Sequence, residues 1–201
     1  MLFRSGSNGE VYSEVAASRL FWALGFGADH MYSVKVLCDG CPERFGGIAR
    51  ANGDRLFDPA AVERKLPGRE IADSWDWDEL DEVDAAAGGA TVAERDALKL
   101  LAVMLQHTDS KAEQQRIVCV DEEGESGGCQ VPLMMINDLG LTFGRANTFN
   151  LQPRGSANLA EWSKVPVWAD PERCVGNLAG SFTGTLKNPV ISEAEIGRAH
   201  V

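Results

Sequence analysis

Apolar residues recur at helical spacing in two segments of the chain. In the first, residues 11–24, the apolar side chains that share one face are those of Ala16, Leu20, Ala23 and Leu24. Gly25 follows, a residue suited to the left-handed conformation that ends many helices. The pattern predicts a helix that starts near Val11 and buries that face.

The second helical segment has a start signal as well as an apolar stripe. Thr91 is followed three residues later by Glu94, which is the spacing of a capping box. The stripe that follows consists of Leu98, Leu101, Ala102 and Leu105. The sequence therefore predicts a buried helix that ends near Gln106 and leads directly into His107.

Runs of β-branched and other apolar residues predict strands. Residues 31–38 form one such run, and residues 116–120 and 131–136 form two more. Between the last two, residues 121–128 are acidic and rich in glycine, which is typical of a turn. We therefore predict that these two runs are the arms of a β-hairpin.

The chain between the first strand and the second helix is less regular. Residues 39–70 are rich in Gly, Pro and charge, and we interpret them as a connection between two lobes, with a short helix near residues 59–65. Trp75, Trp77 and Leu80 then stand in an acidic setting. We expect these three side chains to pack in the interior.

Composition and charge restrict the partners of the protein. Its 201 residues are 44% hydrophobic and 24% charged, which is ordinary for a globular protein. The formal net charge of −11 argues against nucleic acid or an anionic membrane as the main partner, because phosphate-bearing surfaces require a basic face. No apolar stretch reaches membrane-spanning length, and the N-terminus lacks a basic-then-apolar signal pattern. We therefore expect a cytoplasmic protein.

The five cysteines do not suggest a secreted disulfide framework, because their number is odd in a chain of this length. Cys38 and Cys41 form a C-x-x-C pair, which indicates either zinc or redox chemistry or a plain turn with two thiols. A second pair of similar spacing, which zinc normally requires, is not in the sequence. Cys119 and Cys129 flank the predicted hairpin turn and are placed to face each other across it.

The strongest chemical signal lies just before the first arm of the predicted hairpin and just after its second arm. Residues 107–114 read His-Thr-Asp-Ser-Lys-Ala-Glu-Gln, and the second arm leads into Asn137, Asp138, Leu139 and Gly140. In phosphoryl transfer, an aspartate orients the attacking hydroxyl and a lysine neutralises the phosphate, while an amide and a second carboxylate bind magnesium. The hairpin would bring Asp138 beside Gln114, as a single metal site requires.

This ordered set resembles the catalytic loop H-R-D-L-x-x-x-N and the D-F-G turn of the protein-kinase-like superfamily, and the chain is closer to its compact atypical bacterial and lipid-kinase-like branches than to ordinary protein kinases. The resemblance covers about residues 10–145. The roles that it implies are nucleophile orientation by Asp109, a phosphate contact by Lys111, and magnesium binding by Gln114 and Asp138. It also implies that Glu14, or alternatively Glu10, pairs with a phosphate-gripping lysine. Magnesium and ATP are the implied cofactors, and the phosphate acceptor is not identified.

The resemblance implies an α+β, kinase-like fold in two lobes. Residues 1–70 would be a truncated N-terminal lobe with the interlobe connection. Residues 71–194 would be a mainly helical C-terminal lobe that carries the catalytic loop and the hairpin, with a further short helix near residues 171–178.

The N-terminal part departs from the family pattern. Thirteen residues precede Glu14, too few for the expected strands and glycine-rich loop, and none of them is a lysine. Either Lys35 supplies the ammonium group or this part of the lobe is missing. Gln114 keeps the amide oxygen of the family's Asn but is longer by one methylene group. We therefore expect little turnover from this chain, even where nucleotide binds.

The C-terminal seven residues, 195–201, suggest a non-natural origin. The residues Glu-Ile-Gly-Arg-Ala-His-Val can be encoded by the string GAGATCGGAAGAGCACACGTC, which from its second base matches the start of a widely used sequencing adapter. We interpret these residues as read-through of a library adapter and exclude them from the fold.

Three function classes follow from these patterns. The leading one is an ATP- and magnesium-dependent phosphotransferase of kinase-like fold, truncated at both ends. The absence of an upstream lysine and the presence of Gln114 favour the second, a pseudokinase or interaction module without turnover. The third is a small zinc-binding protein built on Cys38 and Cys41.

Overall fold

The computed structural model of this chain describes residues 3–5, 10–41, 44–45, 48–49, 53–121, 128–144, 158–178 and 185–192. It combines α-helices with several small β-sheets, in agreement with the predicted α+β class. The C-terminal tail at residues 195–201 lies outside the described residues, as do residues 122–127 of the predicted turn.

The helices separate groups of consecutive strands along the chain. The α-helices are α1 (Glu10–Ala23), α2 (Val92–Leu105) and α3 (Leu159–Trp162). Short 3-10 helices span Trp77–Glu82, Ala85–Ala87 and Ala112–Gln114. The strands are β1 (Phe3–Ser5), β2 (Gly27–Ala28), β3 (His30–Cys41), β4 (Arg44–Phe45), β5 (Ile48–Ala49), β6 (Gly53–Arg64), β7 (Arg69–Ala72), β8 (Gln115–Cys119), β9 (Pro132–Ile136), β10 (Trp168–Asp170) and β11 (Val175–Gly176). Among the described residues, no helix has the length and apolar character needed to cross a bilayer.

The predicted hairpin is confirmed as the antiparallel pair β8 and β9. Gln115 lies opposite Ile136 at one end, and Cys119 lies opposite Pro132 at the other. β7 adds to the sheet beside β8, and β2 runs parallel to β9 on the opposite side. The residue before β8 and the residues after β9 therefore meet at one end of this sheet, as antiparallel pairing requires.

The predicted strand at residues 31–38 is confirmed within the longer β3. β3 pairs with β6 along its length, from His30 opposite Arg64 to Cys41 opposite Gly53. β1 pairs with the other edge of β6, so these strands form a three-stranded antiparallel sheet.

The interpretation of residues 39–70 as an irregular connection is wrong, because this range contains the whole of β6. The short helix predicted near residues 59–65 is wrong for the same reason. Ala60 and Ala61 suggested a helix, yet both are fully buried and lie opposite residues of β3. Burial against a neighbouring strand outweighs the weak intrinsic preference of alanine.

The first predicted helix is confirmed as α1, but its buried face differs from the predicted one. The buried side chains are those of Val11, Ser13, Glu14, Ala17, Ser18 and Phe21. Leu20, which the apolar pattern placed inside, is 40% exposed. The buried face contains polar groups because it borders the cavity described below, and an apolar criterion does not detect such a face.

The second predicted helix is confirmed as α2, together with its cap. The Thr91 hydroxyl accepts the Glu94 N–H, and the Glu94 carboxylate accepts the Thr91 N–H. All four residues of the predicted stripe are buried in the core. Gln106, at φ 54°, ends the helix in the left-handed conformation.

The expectation of a mainly helical C-terminal lobe is not met after α2. In the described residues from 158 onward, the only α-helix is α3, which has four residues. The helix predicted near residues 171–178 is wrong, since this range contains a turn and then β11, which pairs with β10.

Trp75 and Trp77 anchor the segment before α2, and their predicted burial is confirmed. Both are 1% exposed, and their rings lie 5.5 Å apart in the main core. The Trp75 indole N–H is shared between the carbonyl oxygens of Arg116 and Met135, at 3.2 and 3.1 Å. These two residues lie opposite each other in the hairpin, so one indole holds both strands.

We expect Trp75→Phe to lower the free energy of unfolding by about 2–4 kcal/mol, because it removes the shared hydrogen bond and leaves a small cavity. Urea denaturation of the variant and the wild type measures this loss. Trp22→Phe is the matched control, since Trp22 is 56% exposed and its truncation should change stability by less than about 0.5 kcal/mol. Equal effects of the two substitutions would contradict this role of Trp75.

Candidate functional site

One amide group connects the two carboxylates that the sequence singled out. Gln114 Nε2 donates a hydrogen bond to Asp109 Oδ2 at 2.9 Å and another to Asp138 Oδ2 at 2.8 Å. These two carboxylate oxygens are therefore within about 6 Å of each other. The assignment of the nitrogen follows from chemistry, because an ionised carboxylate only accepts hydrogen bonds.

Backbone hydrogen bonds hold the loop at residues 107–114 against the residues that follow β9. Thr108 N donates to Leu141 O at 3.2 Å, and Asn137 N donates to Gln114 O at 3.0 Å. The loop also follows directly on α2, which is buried in the core. The separation of the two carboxylates is thus set by main-chain contacts, which favours a fixed geometry.

Lys111 lies beside the first of these carboxylates. Its Nζ is 3.5 Å from Asp109 Oδ1, and its side chain is 34% exposed. A partly exposed pair of this kind contributes little to stability. Its consequence is positional, because it keeps a cation next to Asp109 at the edge of the site.

Glu14 joins α1 to the turn that begins at Asp138. The buried Glu14 carboxylate accepts the Leu139 N–H through Oε1 at 2.9 Å. Asp138 itself has a φ of 52°, a left-handed conformation that aspartate tolerates better than most residues. Of the two glutamates considered for α1, Glu14 is the one that reaches the site.

Gln114 and Asp138 line a cavity of about 260 Å³ between α1, the two sheets and the loop. Asp109 adjoins it through its hydrogen bond with Gln114 but is not one of its lining residues. Its acidic lining residues are Glu14, Asp29, Glu63, Glu113 and Asp138. Its apolar lining residues are Met31, Ile136 and Leu139, and the uncharged polar ones are Ser18, Gln114 and Asn137. Lys65 is the one cation that lines it among the described residues. The cavity is therefore strongly negative and is suited to a cationic ligand or to an anion accompanied by cations.

A second carboxyl pair forms the opposite wall of the cavity. Asp29 is 6% exposed and makes a buried ion pair with Arg116, whose guanidinium also contacts Glu70 at 3.3 Å. Burial, and then the hydrogen bond and charge of Asp29, raise the pKa of Glu63. Glu63 therefore retains its proton to a higher pH than an ordinary glutamate does.

His107 lies beneath the loop and has no polar contact of its own. It is 1% exposed, its ring centre is 6.4 Å from that of Trp77, and neither ring nitrogen has a hydrogen-bond partner in the described structure. Burial lowers its pKa to about 4, although the nearby charges of Asp109 and Asp138 act in the opposite direction. The imidazole is therefore neutral at physiological pH and packs as an apolar group.

The donor atoms of the site fit magnesium, the cofactor that the resemblance implies. Carboxylate and amide oxygens are ligands that this cation prefers. Asp109 and Asp138 supply carboxylates, and the Gln114 amide carries an oxygen, Oε1, that is buried without a hydrogen-bond partner. Asn137 Oδ1, on the same cavity wall, is a second buried oxygen of this kind. Buried acceptors without partners are rare, and a bound cation would satisfy them.

The structure thus brings together the predicted residues Asp109, Lys111, Gln114 and Asp138. Gln114 and Asp138 line the cavity together with Glu14, whereas Asp109 and Lys111 lie next to it. Their catalytic and metal-binding roles remain predictions.

Sequence reasoning missed part of the cavity wall. Lys35, considered as a source of the phosphate-binding ammonium, instead pairs with Asp58 at 2.7 Å and does not line the cavity, whereas Lys65 does. Asp29 and Glu63 were also missed. Recognising β3 and β6 as partners would have placed Lys65 at the end of β6, beside the loop.

The zinc site predicted at Cys38 and Cys41 gains no support. Cys38 is disulfide-bonded and so offers no thiolate to a metal. The side chain of Cys41 lies outside the described residues.

No family model matches this chain, and no curated protein or solved structure matches it either. The kinase-like interpretation therefore depends on the residues and their arrangement alone.

We expect stability to fall as the pH is lowered from about 6.5 to about 4, in part because of His107. The unfolded imidazole binds a proton below about pH 6.5, whereas the folded one stays neutral until about pH 4. Because only the unfolded imidazole is fully protonated near pH 4, the free energy of unfolding falls by about 3 kcal/mol between neutral pH and pH 4. His107→Leu should remove this component while keeping the core packed. Urea denaturation between pH 7.5 and pH 4 measures both proteins, and parallel profiles would contradict the assignment.

Proposed function

We propose that this protein is an ATP- and magnesium-dependent phosphotransferase whose nucleotide occupies the acidic cavity. The observation that carries the proposal is the shared contact of the Gln114 amide with Asp109 and Asp138. Asp109, Gln114 and Asp138 come from a loop and a turn and converge on a single point. Gln114 and Asp138, which share one hydrogen bond, are 24 positions apart in the sequence. They are the residues that phosphoryl transfer would use as base and metal ligands.

Each residue has a distinct task in this proposal. Asp138 and Gln114 would hold magnesium, which when bound offsets the charge of the nucleotide phosphates. Asp109 would accept a hydrogen bond from the attacking hydroxyl, orient that hydroxyl and take up its proton. Lys111, 3.5 Å from Asp109, places a positive charge where the transferred group would gain negative charge.

Glu14 would act on the geometry of the site rather than on the phosphate. Its carboxylate holds the Leu139 N–H and so keeps the turn that carries Asp138 in a left-handed conformation. Catalysis by positioning depends on such support, because the protein supplies little covalent chemistry in phosphoryl transfer. A supporting contact from α1 also couples the helix to the metal-binding turn.

The charge of the cavity explains why the nucleotide would need cations. Five carboxyl groups line the cavity, and they would repel a triphosphate in the absence of positive charge. Lys65 lies on the same wall, and we propose that its ammonium group contacts the phosphates. It thereby takes the role for which the sequence suggested Lys35.

The same amide contact also favours one competing function, a pseudokinase that binds no metal. With its NH₂ group between two carboxylates, Gln114 can offset their repulsion and stabilise the fold without a cation. The two functions differ in magnesium dependence, which decides between them.

We expect magnesium and ATP together to stabilise the wild type by about 2.7 kcal/mol at a hundred times the dissociation constant. Asp138→Asn should abolish most of this gain, because it removes a charged ligand while asparagine tolerates the left-handed backbone. Thermal unfolding with ATP, with magnesium and with both measures the effect. Asp78→Asn, on an exposed residue of a 3-10 helix, is the matched control and should behave as wild type.

Asp109→Asn separates binding from chemistry. It should retain magnesium-dependent ATP binding and lower any ATP consumption by about 10²–10⁴-fold. Stabilisation by ATP that is independent of magnesium, or unchanged in Asp138→Asn, would contradict the phosphotransferase and favour the pseudokinase.

For Lys65, we expect Lys65→Met to raise the dissociation constant of the magnesium–ATP complex by about tenfold, which is about 1.4 kcal/mol. Lys35→Met is the matched control, because Lys35 pairs with Asp58 away from the cavity. Titration with a fluorescent ATP analogue measures both variants. A larger effect of Lys35→Met would return the phosphate-binding role to that residue.

A further inference from the structure

The end of the hairpin opposite the acidic cavity holds a second cluster of ligating side chains. Cys119 and Cys129 are joined by a disulfide, and the Asp121 carboxylate lies against it. The potential ligand atoms of the three residues all lie within 4.8 Å of one another. Gln115 and Cys119 occupy the two ends of β8, which are about 13 Å apart along the strand, and the cavity lies beyond the Gln115 end.

The position of the carboxylate is not explained by the disulfide. Asp121 Oδ1 lies 2.6 Å from Cys119 Sγ and 3.6 Å from Cys129 Sγ. The sulfur atoms of a disulfide carry no proton, so neither can donate a hydrogen bond to this oxygen. A carboxylate gains from such proximity only when the sulfurs are protonated thiols or when a cation lies between them.

A neighbouring backbone group orients the carboxylate toward the sulfurs. Asp121 Oδ2 accepts the Gln130 N–H at 3.0 Å, which leaves Oδ1 on the sulfur side. A hydrogen bond to the second oxygen of a ligating carboxylate is the usual way in which proteins fix a metal ligand. The three ligands therefore have a supporting contact as well as proximity.

We propose that the reduced hairpin end is a binding site for a thiophilic divalent cation, with zinc as the best fit, held by Cys119, Asp121 and Cys129. Two thiolates and a carboxylate match the ligand preference of zinc. Tetrahedral zinc at ordinary bond lengths separates a sulfur from an oxygen ligand by about 3.6 Å. The Asp121–Cys129 distance has this value already, and reduction allows the two sulfurs to move apart.

Charge favours a cation in the reduced state once the two thiols lose their protons. Two thiolates and the carboxylate would bring three negative charges together. Without a cation, this field opposes loss of the thiol protons. A divalent cation would release two protons and leave the cluster with a much smaller charge.

The redox step is ordinary thiol–disulfide exchange with a dithiol reductant. A reductant thiolate attacks the half-buried Cys129 Sγ, and Cys119 leaves as the thiolate. The second thiol of the reductant then closes to its own disulfide and frees Cys129. Two electrons and two protons pass to the protein, and zinc binding releases two protons from the two thiols. The fourth coordination position would belong to water, as in zinc sites with three protein ligands.

The experiment measures zinc bound per chain in the oxidised and the reduced protein. The protein is treated with a dithiol, desalted without oxygen, mixed with zinc chloride and dialysed before metal analysis. A Cys38→Ser, Cys41→Ser background removes the other cysteine pair. We expect one zinc per reduced chain and none per oxidised chain.

Two variants identify the ligands. Cys129→Ser should abolish zinc binding, and Asp121→Asn should weaken it by more than about tenfold. Cys174→Ser is the matched control, because Cys174 is an exposed free cysteine outside the cluster. Absence of zinc from the reduced protein would overturn the proposal, as would zinc retained in Cys129→Ser or bound with unchanged affinity in Asp121→Asn.

A fold defect in the cysteine background would not prevent a decision. Asp121→Asn in the otherwise native chain leaves every cysteine in place, and its zinc affinity is compared with that of the wild type by competition with a chromophoric chelator. Equal affinities would overturn the proposal in this measurement too. The phosphotransferase proposal is independent of the outcome, because it concerns the opposite end of the hairpin.

Discussion

The repulsion between the Asp109 and Asp138 carboxylates is the constraint around which the site is arranged, and the Gln114 amide offsets it by donating to both. Asp109 and Asp138 belong to a loop and to a turn that have no strand pairing with each other, and both accept hydrogen bonds from one nitrogen. Like charges at this separation would otherwise push the two segments apart. The amide is therefore both a structural bridge and, through its oxygen, a potential metal ligand. The bridge uses the nitrogen and leaves the oxygen without a hydrogen-bond partner in the described structure, so the two groups of the amide are available for different contacts.

Contacts that do not involve the Gln114 amide also hold the loop and the turn in place. The Leu139 N–H is held by Glu14 of α1, and the loop is tied to residue 141 by its backbone. Trp75 fastens both strands of the hairpin to the core through a single indole N–H. These contacts do not involve the amide, so they hold the loop and the turn independently of its hydrogen bonds.

The sequence predicted the elements that have local signals and missed those that depend on distant partners. The capping box at Thr91 and the two apolar arms of the hairpin identified α2, β8 and β9 correctly. β6 was missed because its strand character comes from pairing with β3, which local preference does not contain. The cavity wall at Asp29, Glu63 and Lys65 was missed for the same reason. The order of Asp109, Gln114 and Asp138 was readable since a hairpin converts sequence order into proximity.

The hairpin of β8 and β9 places two kinds of chemistry at its two ends, and strand geometry keeps them separate. Carboxylate and amide oxygens gather at the end where β8 begins, and the disulfide sulfurs of Cys119 and Cys129 lie where it ends. Hard cations such as magnesium prefer the first set, and thiophilic cations prefer the second. β7 pairs with one edge of the hairpin and β2 with the other, so neighbouring strands hold both arms between the two ends. A structural change passed from one end to the other would therefore have to shift the register of the hairpin, and the burial of Val118 and Met135 opposes such a shift.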